Sequence, residues 1–328
     1  MSASVTHSDA DGDADAHADR FIETTDEMNL CFRTYGDEKG IPVLLIAGLG
    51  LQLISWPHEL IGALTSAGYF VIAADNRDAG RSSRAKTKPP GKLRQVLAIP
   101  PAENYSLEDM ADDMVHLMRH LQADRVHVVG MSMGGMIAQI LAYKYPEEVL
   151  SLTSIFSTTG NWRVGRPATS TLWQMSQVSA PRSSEEAIAN YVSMMRHIGD
   201  PDSEGIQQAW SDYALRAWKR NGNRPNASGF ARQIGAIHKS GDRSAQLRHI
   251  KAPTLVLHGD IDLMVDPSGG RATAAAIPGA HFITIKGMRH QIDAARWPQL
   301  GTFIIPHLRR ADAARRRRQQ SLNPQALP

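Results

Sequence analysis

The chain has 328 residues, 42% of them hydrophobic, which is enough for one large α/β domain with an insertion or for two ordinary domains. Its 36 basic and 33 acidic residues leave a net charge of +3, so no overall field points to nucleic acid or to an acidic membrane surface. The only cysteine, Cys31, excludes an intrachain disulfide, and the N-terminus is acidic where a secretion signal is basic. We therefore expect a protein without a membrane span, located in a reducing cytoplasm.

The two ends of the chain differ in composition from the body. Residues 1–19 hold five aspartates and no lysine or arginine, a composition typical of a disordered acidic tail. Residues 309–328 hold six arginines against one acidic residue, Asp312. They predict a basic, flexible tail at the frayed end of the last helix, with a contact patch for an anionic partner as the alternative. The folded body is expected between these tails, over residues 20–308.

Short apolar segments alternate along this body with amphipathic segments of helical length. The apolar segments predict strands at Leu30–Thr34, Pro42–Ala47, Tyr69–Ala74, Arg125–Gly130, Val149–Phe156, Pro253–His258 and His281–Ile285. The amphipathic segments predict helices near residues 56–67, 106–122, 133–144, 267–277 and 293–309. Apolar strands without polar alternation, each followed by a helix, predict a mostly parallel sheet with helices on both faces.

This alternation stops between residues 161 and 250, where helix-like segments rich in aromatic residues replace it. We interpret this segment as a helical cap, or lid, inserted over the C-terminal edge of the sheet. Ile206, Trp210, Tyr213 and Ala217 keep a helical spacing. Most of the aromatic side chains are therefore expected to form the core of the lid, and a minority to face a ligand.

Residues 126–136, V-H-V-V-G-M-S-M-G-G-M, place a serine between a predicted strand and a predicted helix. A sharp turn at Ser132 leaves room only for small residues at Gly130 and Gly134, and it exposes the hydroxyl above the sheet. The free N–H groups at the start of the following helix favour negative charge at the same spot. Ser132 is therefore a candidate nucleophile.

A serine nucleophile needs a base, and the base needs a carboxylate that orients its ring. His290 lies on a loop directly after the last predicted strand, where its ring can reach the C-terminal edge of the sheet. The preceding strand ends in H-G-D-I-D, which offers both Asp260 and Asp262. The order serine, aspartate, histidine along the chain is one of three known for this constellation.

Two backbone N–H groups are candidates for holding an oxyanion. One belongs to Met133, directly after the candidate nucleophile, and the other to Leu49, in the glycine-containing loop I-A-G-L-G-L-Q after the second predicted strand. An ordinary tight turn would also explain Gly48 and Gly50.

Other motifs are interpreted as structural. Asp112, His116 and His120 lie on the predicted water-facing side of a helix, so no metal site is expected there. The S-R-A-K stretch at residues 83–86 matches an S-x-x-K motif but lies in a polar loop without the companion motifs of that enzyme class.

The motifs G-M-S-M-G-G, H-G-D-I-D and G-M-R-H occur in this order, and the chain resembles the α/β-hydrolases over about residues 20–308. The D-N-R-D-A-G-R-S stretch and the S-W-P-H-E-L stretch make it most similar to bacterial carboxylesterases of the aclacinomycin methylesterase type. The resemblance implies an α/β-hydrolase core at residues 20–160 and 251–308, with a lid at 161–250. It also favours Asp262, which matches the second aspartate of the family's H-G-x-x-D motif.

The sequence departs from the family pattern at two positions near these motifs. Ala47 stands where many members have histidine, and this should matter little because backbone groups bind the oxyanion. Arg289 replaces the usual glycine before the histidine. Its positive charge either tunes the candidate base beside it or simply pairs with an acid on the surface.

The expected function is hydrolysis of a carboxylic ester through an acyl-enzyme, with Ser132, His290 and Asp262 as the triad and no cofactor or metal. Met131, Met133 and Met136 around the serine suggest an apolar acyl pocket, although packing in the core explains them equally well. The expected substrate is an apolar small-molecule ester. A cofactor-free haloperoxidase or perhydrolase and a carbon–carbon bond hydrolase share this triad. The fold also serves non-catalytic small-molecule receptors.

Overall fold

The computed structural model describes residues 18–24, 28–91, 94–95, 99–202 and 205–322. Its strands form one sheet in the spatial order β1-β2-β4-β3-β5-β6-β7-β8. They are β1 (Arg20–Glu23), β2 (Asn29–Tyr35), β3 (Ile41–Ile46), β4 (Tyr69–Ala74), β5 (Val126–Met131), β6 (Val149–Ile155), β7 (Thr254–Gly259) and β8 (His281–Ile285). Strand β2 pairs antiparallel with β1 and β4, and the later pairs are parallel. The mostly parallel sheet predicted from the sequence is confirmed.

The helices lie between the strands and after β8. They are α1 (His58–Ser66), α2 (Leu107–His120), α3 (Met133–Lys144), α4 (Thr169–Gln177), α5 (Ser184–Ile198), α6 (Ile206–Arg220), α7 (Ala227–Ser240), α8 (Ser244–Leu247), α9 (Ser268–Ala276) and α10 (Trp297–Leu322). None of the helices within the described ranges combines the length and the apolar character needed to cross a bilayer.

Two apolar layers sandwich the sheet. Every residue of β4, β5 and β7 is buried, because parallel strands in the middle of a sheet are covered on both faces. Helices α2 and α3 pack on one face, and α1 and α10 pack on the other. Burying one large aliphatic side chain contributes about 1.5–3 kcal/mol. Strand β5 lies between β3 and β6, so its C-terminal end is held from both sides.

Strand β1 was not predicted. It has four residues and pairs antiparallel with β2 at the edge of the sheet, where Arg20 lies opposite Phe32 and Glu23 opposite Asn29. Four residues are too few to show an apolar alternation, and the pairing that makes them a strand comes from a partner further along the chain.

The predicted acidic tail needs a correction at Asp19, and its residues 1–17 lie outside the described part of the chain. Asp19 is buried, and its carboxylate binds the guanidinium groups of Arg33, Arg81 and Arg220. Burial opposes ionisation of this carboxyl, but the charges of Arg220 and Arg33 lower its pKa below the usual value. A buried charge is stable only when it is paired, so these arginines hold Asp19 in the fold.

The basic C-terminal segment also differs from the prediction, because α10 continues as a helix to Leu322. Asp312 faces the sheet from this helix and is buried. Its carboxylate accepts a hydrogen bond from the Tyr69 hydroxyl at 3.1 Å and lies 3.1 Å from Nε2 of His127 on β5. The Nδ1 atom of His127 lies 2.7 Å from the Ser151 hydroxyl. This polar network joins the arginine-rich part of α10 to the middle of the sheet.

The segment between β6 and β7 contains helices α4 to α8 and has its own apolar cluster. Met195, Ile198, Ile206 and Trp210 form this cluster, against which Tyr191 and Met264 pack. Trp162 and Trp173, in contrast, are 71% and 64% exposed. These helices form an insertion between β6 and β7 that buries some of its aromatic residues in its own core. The bounds 161–250 and the role as a lid stay predictions.

Replacing Asp312 tests whether the polar network holds α10 on the sheet. Asp312→Ala leaves the buried Tyr69 hydroxyl and His127 ring without this acceptor, so we expect the free energy of unfolding to fall by about 2–4 kcal/mol. Arg317→Ala, at an exposed position of α10, should change it by less than about 0.5 kcal/mol. Both values come from urea unfolding followed by circular dichroism, and equal values for the two variants would contradict this role.

The pH dependence of the stability difference between Asp312→Ala and the native protein gives a second check. Burial opposes ionisation of Asp312, but the hydrogen bond and charge of His127 and the Tyr69 hydrogen bond lower its pKa below the usual value. A carboxyl with a lowered pKa in the folded state stabilises the fold above its unfolded pKa, and loses that effect as the pH falls through its folded pKa. The stability deficit of Asp312→Ala should therefore be full near neutral pH and shrink below about pH 4.

Candidate active site

Ser132 lies at the turn between β5 and α3 in a left-handed backbone conformation, with φ 55° and ψ −122°. A non-glycine residue in such a conformation costs on the order of 1–3 kcal/mol, so the surroundings must hold it there. A Cβ atom on Gly130 would lie 2.2 Å from the Gly134 carbonyl oxygen, and one on Gly134 would lie 2.0 Å from that of Ile46. Both glycines are required because β5, α3 and β3 meet here without room for a methyl group.

The structure brings Ser132, His290 and Asp262 into one hydrogen-bonded chain. The Ser132 Oγ atom lies 3.0 Å from His290 Nε2, and His290 Nδ1 lies 2.7 Å from Asp262 Oδ2. The imidazole packs against the Phe156 ring at a centroid distance of 4.4 Å. These three side chains come from the ends of β5, β7 and β8, which lie at the same edge of the sheet.

Asp262 is fixed by donors on its other oxygen. Its Oδ1 atom accepts hydrogen bonds from the N–H groups of Met264 and Val265, at 2.8 Å and 2.9 Å. The Nε2 atom of the buried His258 lies 3.4 Å from Oδ2 and donates to the Val265 carbonyl oxygen. Burial opposes ionisation, but the charge of His290 and these hydrogen bonds hold the pKa of Asp262 well below its usual range. The carboxylate is thus kept ionised beside the imidazole.

The loop after β3 passes beside the serine. A Cβ atom built on Gly48 would lie 3.3 Å from the Ser132 Cβ atom, so the backbone of this loop lies directly against the candidate nucleophile. Within the described part of the chain, no hydrogen bond from the N–H of Leu49 or of Met133 to another protein group is seen. These two N–H groups were predicted as oxyanion donors, and that role stays a prediction.

Comparison with known proteins places this chain in a family. A family model described as the alpha/beta hydrolase fold matches residues 41–292. This chain belongs to that family. Rhodomycin D methylesterase DnrP of Streptomyces peucetius is 29% identical over 305 residues, which cover 88% of this chain and 97% of that protein. DauP of Streptomyces sp. (strain C5), also a rhodomycin D methylesterase, is 28% identical with the same coverage.

Solved structures agree on the fold of this α/β-hydrolase. An esterase from Rhodococcus sp. ECU1013 matches it with a TM-score of 0.66 at 22% identity, and the match covers 88% of this chain and 99% of that one. At this identity the likeness establishes the architecture.

Asp260, the first aspartate of the H-G-D-I-D stretch, lies elsewhere in this α/β-hydrolase. It is exposed, and its Oδ1 atom accepts a hydrogen bond from the Gly287 N–H at 2.6 Å. Gly287 has a φ of 70°, so Asp260 stabilises the turn after β8. Of the two aspartates that the residues alone left open, Asp262 is the one in contact with His290.

The residues interpreted as structural have ordinary partners. The Asp112 carboxylate binds the Lys144 ammonium and the Tyr145 hydroxyl. No group of three histidine, cysteine or acidic side chains in the described ranges is arranged to hold a metal ion. The Ser83 hydroxyl accepts a hydrogen bond from the Asn29 N–H at 3.0 Å and thereby holds the loop after β4 to the start of β2.

The loop that carries His290 is anchored to the end of α5. The His290 N–H donates to the Ile198 carbonyl oxygen at 2.9 Å, and Arg289 Nη1 donates to that of His197 at 3.2 Å. The last carbonyls of a helix carry partial negative charge, so a guanidinium is stabilised there. This contact was not predicted for Arg289, and the tuning of the base stays a prediction.

Sequence reasoning also missed the side chains that hold the Leu49 loop. Gln233 accepts a hydrogen bond from the Gly50 N–H, and the Tyr213 hydroxyl accepts one from the Gln52 N–H. Gln233 lies 183 residues from Gly50 in the chain, and Tyr213 lies 161 residues from Gln52. Both side chains belong to the helical insertion. No periodicity or motif links such distant residues, so no signal in the sequence could have identified them.

The requirement for glycine at the turn predicts a loss of stability on substitution. A glycine elsewhere serves as a control that should gain stability. Gly134→Ala places a methyl group against the carbonyl oxygens of Ile46 and Ala47, which are backbone atoms that cannot move away. We expect the free energy of unfolding to fall by at least about 2 kcal/mol. Gly62→Ala, on the exposed face of α1 with open space around it, should raise it by about 0.5–1 kcal/mol. A Gly134→Ala variant as stable as the native protein in urea unfolding would refute the steric argument.

Proposed function

We propose that this α/β-hydrolase is a serine esterase that cleaves carboxylic esters through a covalent acyl-enzyme. The observation that carries the proposal is the hydrogen-bonded chain from Ser132 Oγ through the His290 ring to Asp262. The similarity to two methylesterases over nearly their full length supports the same reaction type. The proposal assigns Ser132 as nucleophile, His290 as base and Asp262 as the group that orients the base.

Acylation follows from the positions of these atoms. Ser132 Oγ attacks the ester carbonyl carbon while its proton passes to His290 Nε2, 3.0 Å away. Asp262 holds the Nδ1 proton and stabilises the imidazolium that forms. The negative charge that develops on the carbonyl oxygen is held by the N–H groups of Leu49 and Met133. The carbon–oxygen bond to the leaving alcohol then breaks, and His290 returns its proton to that alcohol.

Deacylation repeats these steps with water as the nucleophile. His290 takes a proton from water, the hydroxide oxygen bonds to the acyl carbon, and the same N–H groups hold the second oxyanion. The bond to Ser132 Oγ breaks as His290 returns the proton to the serine. The products are the carboxylic acid and the regenerated enzyme, and each step balances without a cofactor.

We further propose that the substrate is an apolar small-molecule ester, with a methyl ester of a bulky acid as the first candidate, and that the protein acts in the cytoplasm. The methionines that suggested an apolar pocket are core residues: Met131, Met133 and Met136 are at most 6% exposed. A better support is Phe230 on α7, which is 38% exposed and lies against Gly50 beside the Leu49 loop. An exposed aromatic ring at this place favours an apolar acid or alcohol group.

Replacing the nucleophile tests the covalent mechanism. Ser132→Ala should abolish hydrolysis of p-nitrophenyl esters and labelling by a fluorophosphonate probe, and should leave the melting temperature within a few degrees. Ser83→Ala is the matched control, because its hydroxyl binds the start of β2, and it should retain turnover and labelling. Substantial ester turnover by Ser132→Ala would rule out this mechanism.

The assignment of the acid is tested by a pair of aspartate variants. Asp262→Asn should lower kcat by about 10³–10⁴, because an amide beside His290 favours the wrong tautomer of the imidazole. Asp260→Asn should lower it far less, because that carboxylate contacts the Gly287 N–H. Steady-state kinetics with methyl esters of bulky acids, beside p-nitrophenyl esters of increasing chain length, measures both effects and ranks the substrates. The reverse order of the two variants would move the role to Asp260.

A further inference from the structure

Gln233 connects two loops at the candidate site. It lies on α7 and its side chain is fully buried. Its Oε1 atom accepts a hydrogen bond from the Gly50 N–H at 2.8 Å, and its Nε2 atom donates to the Arg77 carbonyl oxygen at 2.8 Å. Both halves of the carboxamide are therefore used, one on the loop after β3 and the other on the loop after β4.

The loop after β3 needs an external restraint. Leu49 lies between Gly48 and Gly50, and glycine has the widest choice of backbone angles. Gly50 itself has a φ of 69°, in the left-handed region. The N–H of Gly50 belongs to the peptide plane that follows Leu49, so a hydrogen bond to it limits rotation about the Leu49 Cα–C bond. The direction of the Leu49 N–H, two bonds away, is limited in turn.

The rest of this loop is also held from outside. The Gln52 N–H donates to the Tyr213 hydroxyl at 3.2 Å, and its side-chain amide donates to the Ala217 carbonyl oxygen at 2.8 Å. Further along, the Leu53 N–H donates to Asp75 Oδ1 at 2.7 Å. Gln233 is the contact nearest to Leu49 in this series.

We propose that Gln233 is a positioning residue that orients the Leu49 N–H toward the oxyanion. This inference rests on the proposed function, in which Leu49 supplies one of the two oxyanion donors. A carboxamide suits the task because it accepts from Gly50 and donates to Arg77 without introducing a charge. The insertion then contributes to the rate of the chemical step as well as to the choice of substrate.

The test compares two buried glutamines. Gln233→Met keeps the length of the side chain but removes both hydrogen bonds. Gln139→Met is the matched control, because Gln139 is equally buried on α3 and its amide reaches Ser154 on β6, away from the Leu49 loop. Loss of one oxyanion donor lowers kcat by about 10²–10³, so misalignment of one should lower it by roughly 10-fold to 100-fold. KM should change little, since the ground-state ester depends less on this donor.

Labelling of Ser132 by the fluorophosphonate probe gives a readout that needs no ester turnover. Attack on phosphorus also places negative charge on an oxygen beside the nucleophile, so the second-order labelling rate of Gln233→Met should fall together with kcat. The control should stay within about threefold of the native protein in both measurements. Thermal unfolding of the two variants shows whether their stabilities are comparable.

Gln233→Glu supplies a pH signature that a purely structural role would not produce. A protonated glutamic acid can accept from Gly50 and donate to the Arg77 carbonyl oxygen, whereas the carboxylate cannot donate. Burial raises the pKa of a carboxyl, so the ratio of variant to native kcat should fall as the pH rises through that pKa. The charged side chains near Gln233 form two ion pairs. Arg77 is paired with Asp113, and Arg232 is paired with Asp78.

The outcomes separate this inference from the proposed function. If the probe labels Ser132 but no ester is hydrolysed, the esterase proposal fails, and the labelling rates still decide the role of Gln233. If esters are hydrolysed and Gln233→Met matches the control in kcat and labelling, the positioning role is overturned. A kcat ratio for Gln233→Glu that is independent of pH would overturn it as well.

Discussion

The left-handed backbone at Ser132 is the constraint on which the rest of the site depends. A single residue holds this conformation because β5 enters the turn, α3 leaves it and β3 passes beside it, all within contact of two glycines. Packing of that kind is possible only where neighbouring parallel strands end together, at the edge where the loops after β7 and β8 also emerge. The exposed hydroxyl, the imidazole and the carboxylate therefore meet as a consequence of the sheet topology.

The helical insertion between β6 and β7 holds the loops of the site. Each loop of the site has a hydrogen-bonded contact with it: Gly50 with Gln233, Leu263 with Thr171, and His290 with Ile198. These bonds are made largely by backbone groups of the loops, so they restrain the geometry and leave the side chains of Ser132, His290 and Asp262 free to contact one another. The helical insertion therefore holds the loops of the site at three places. Changes in its sequence are thus expected to affect rate and specificity together.

Buried ion pairs link the helical insertion to Asp19 in the N-terminal segment. Arg220, on α6, binds both Asp19 and Asp75, and Asp75 in turn accepts the Leu53 N–H of the loop after β3. Removing one partner from such a group leaves an uncompensated charge in the interior, which costs about 3–5 kcal/mol. The ion pairs therefore bind the N-terminal segment, the sheet and the insertion into one unit around the Leu49 loop.

The sequence by itself determined the features that depend on neighbours within a few residues. The apolar strands, the helical insertion and the turn at Ser132 follow from local pattern and from the two glycines, and the resemblance to a family favoured Asp262. Only the tertiary structure decided which aspartate reaches His290, that Asp19 belongs to the fold, that α10 continues through its arginines, and that Gln233 holds the Leu49 loop. These contacts join residues far apart in the chain, and hydrogen bonds and ion pairs over such separations leave no periodic pattern. They exist because the sheet brings strand ends together, and that depends on the whole fold.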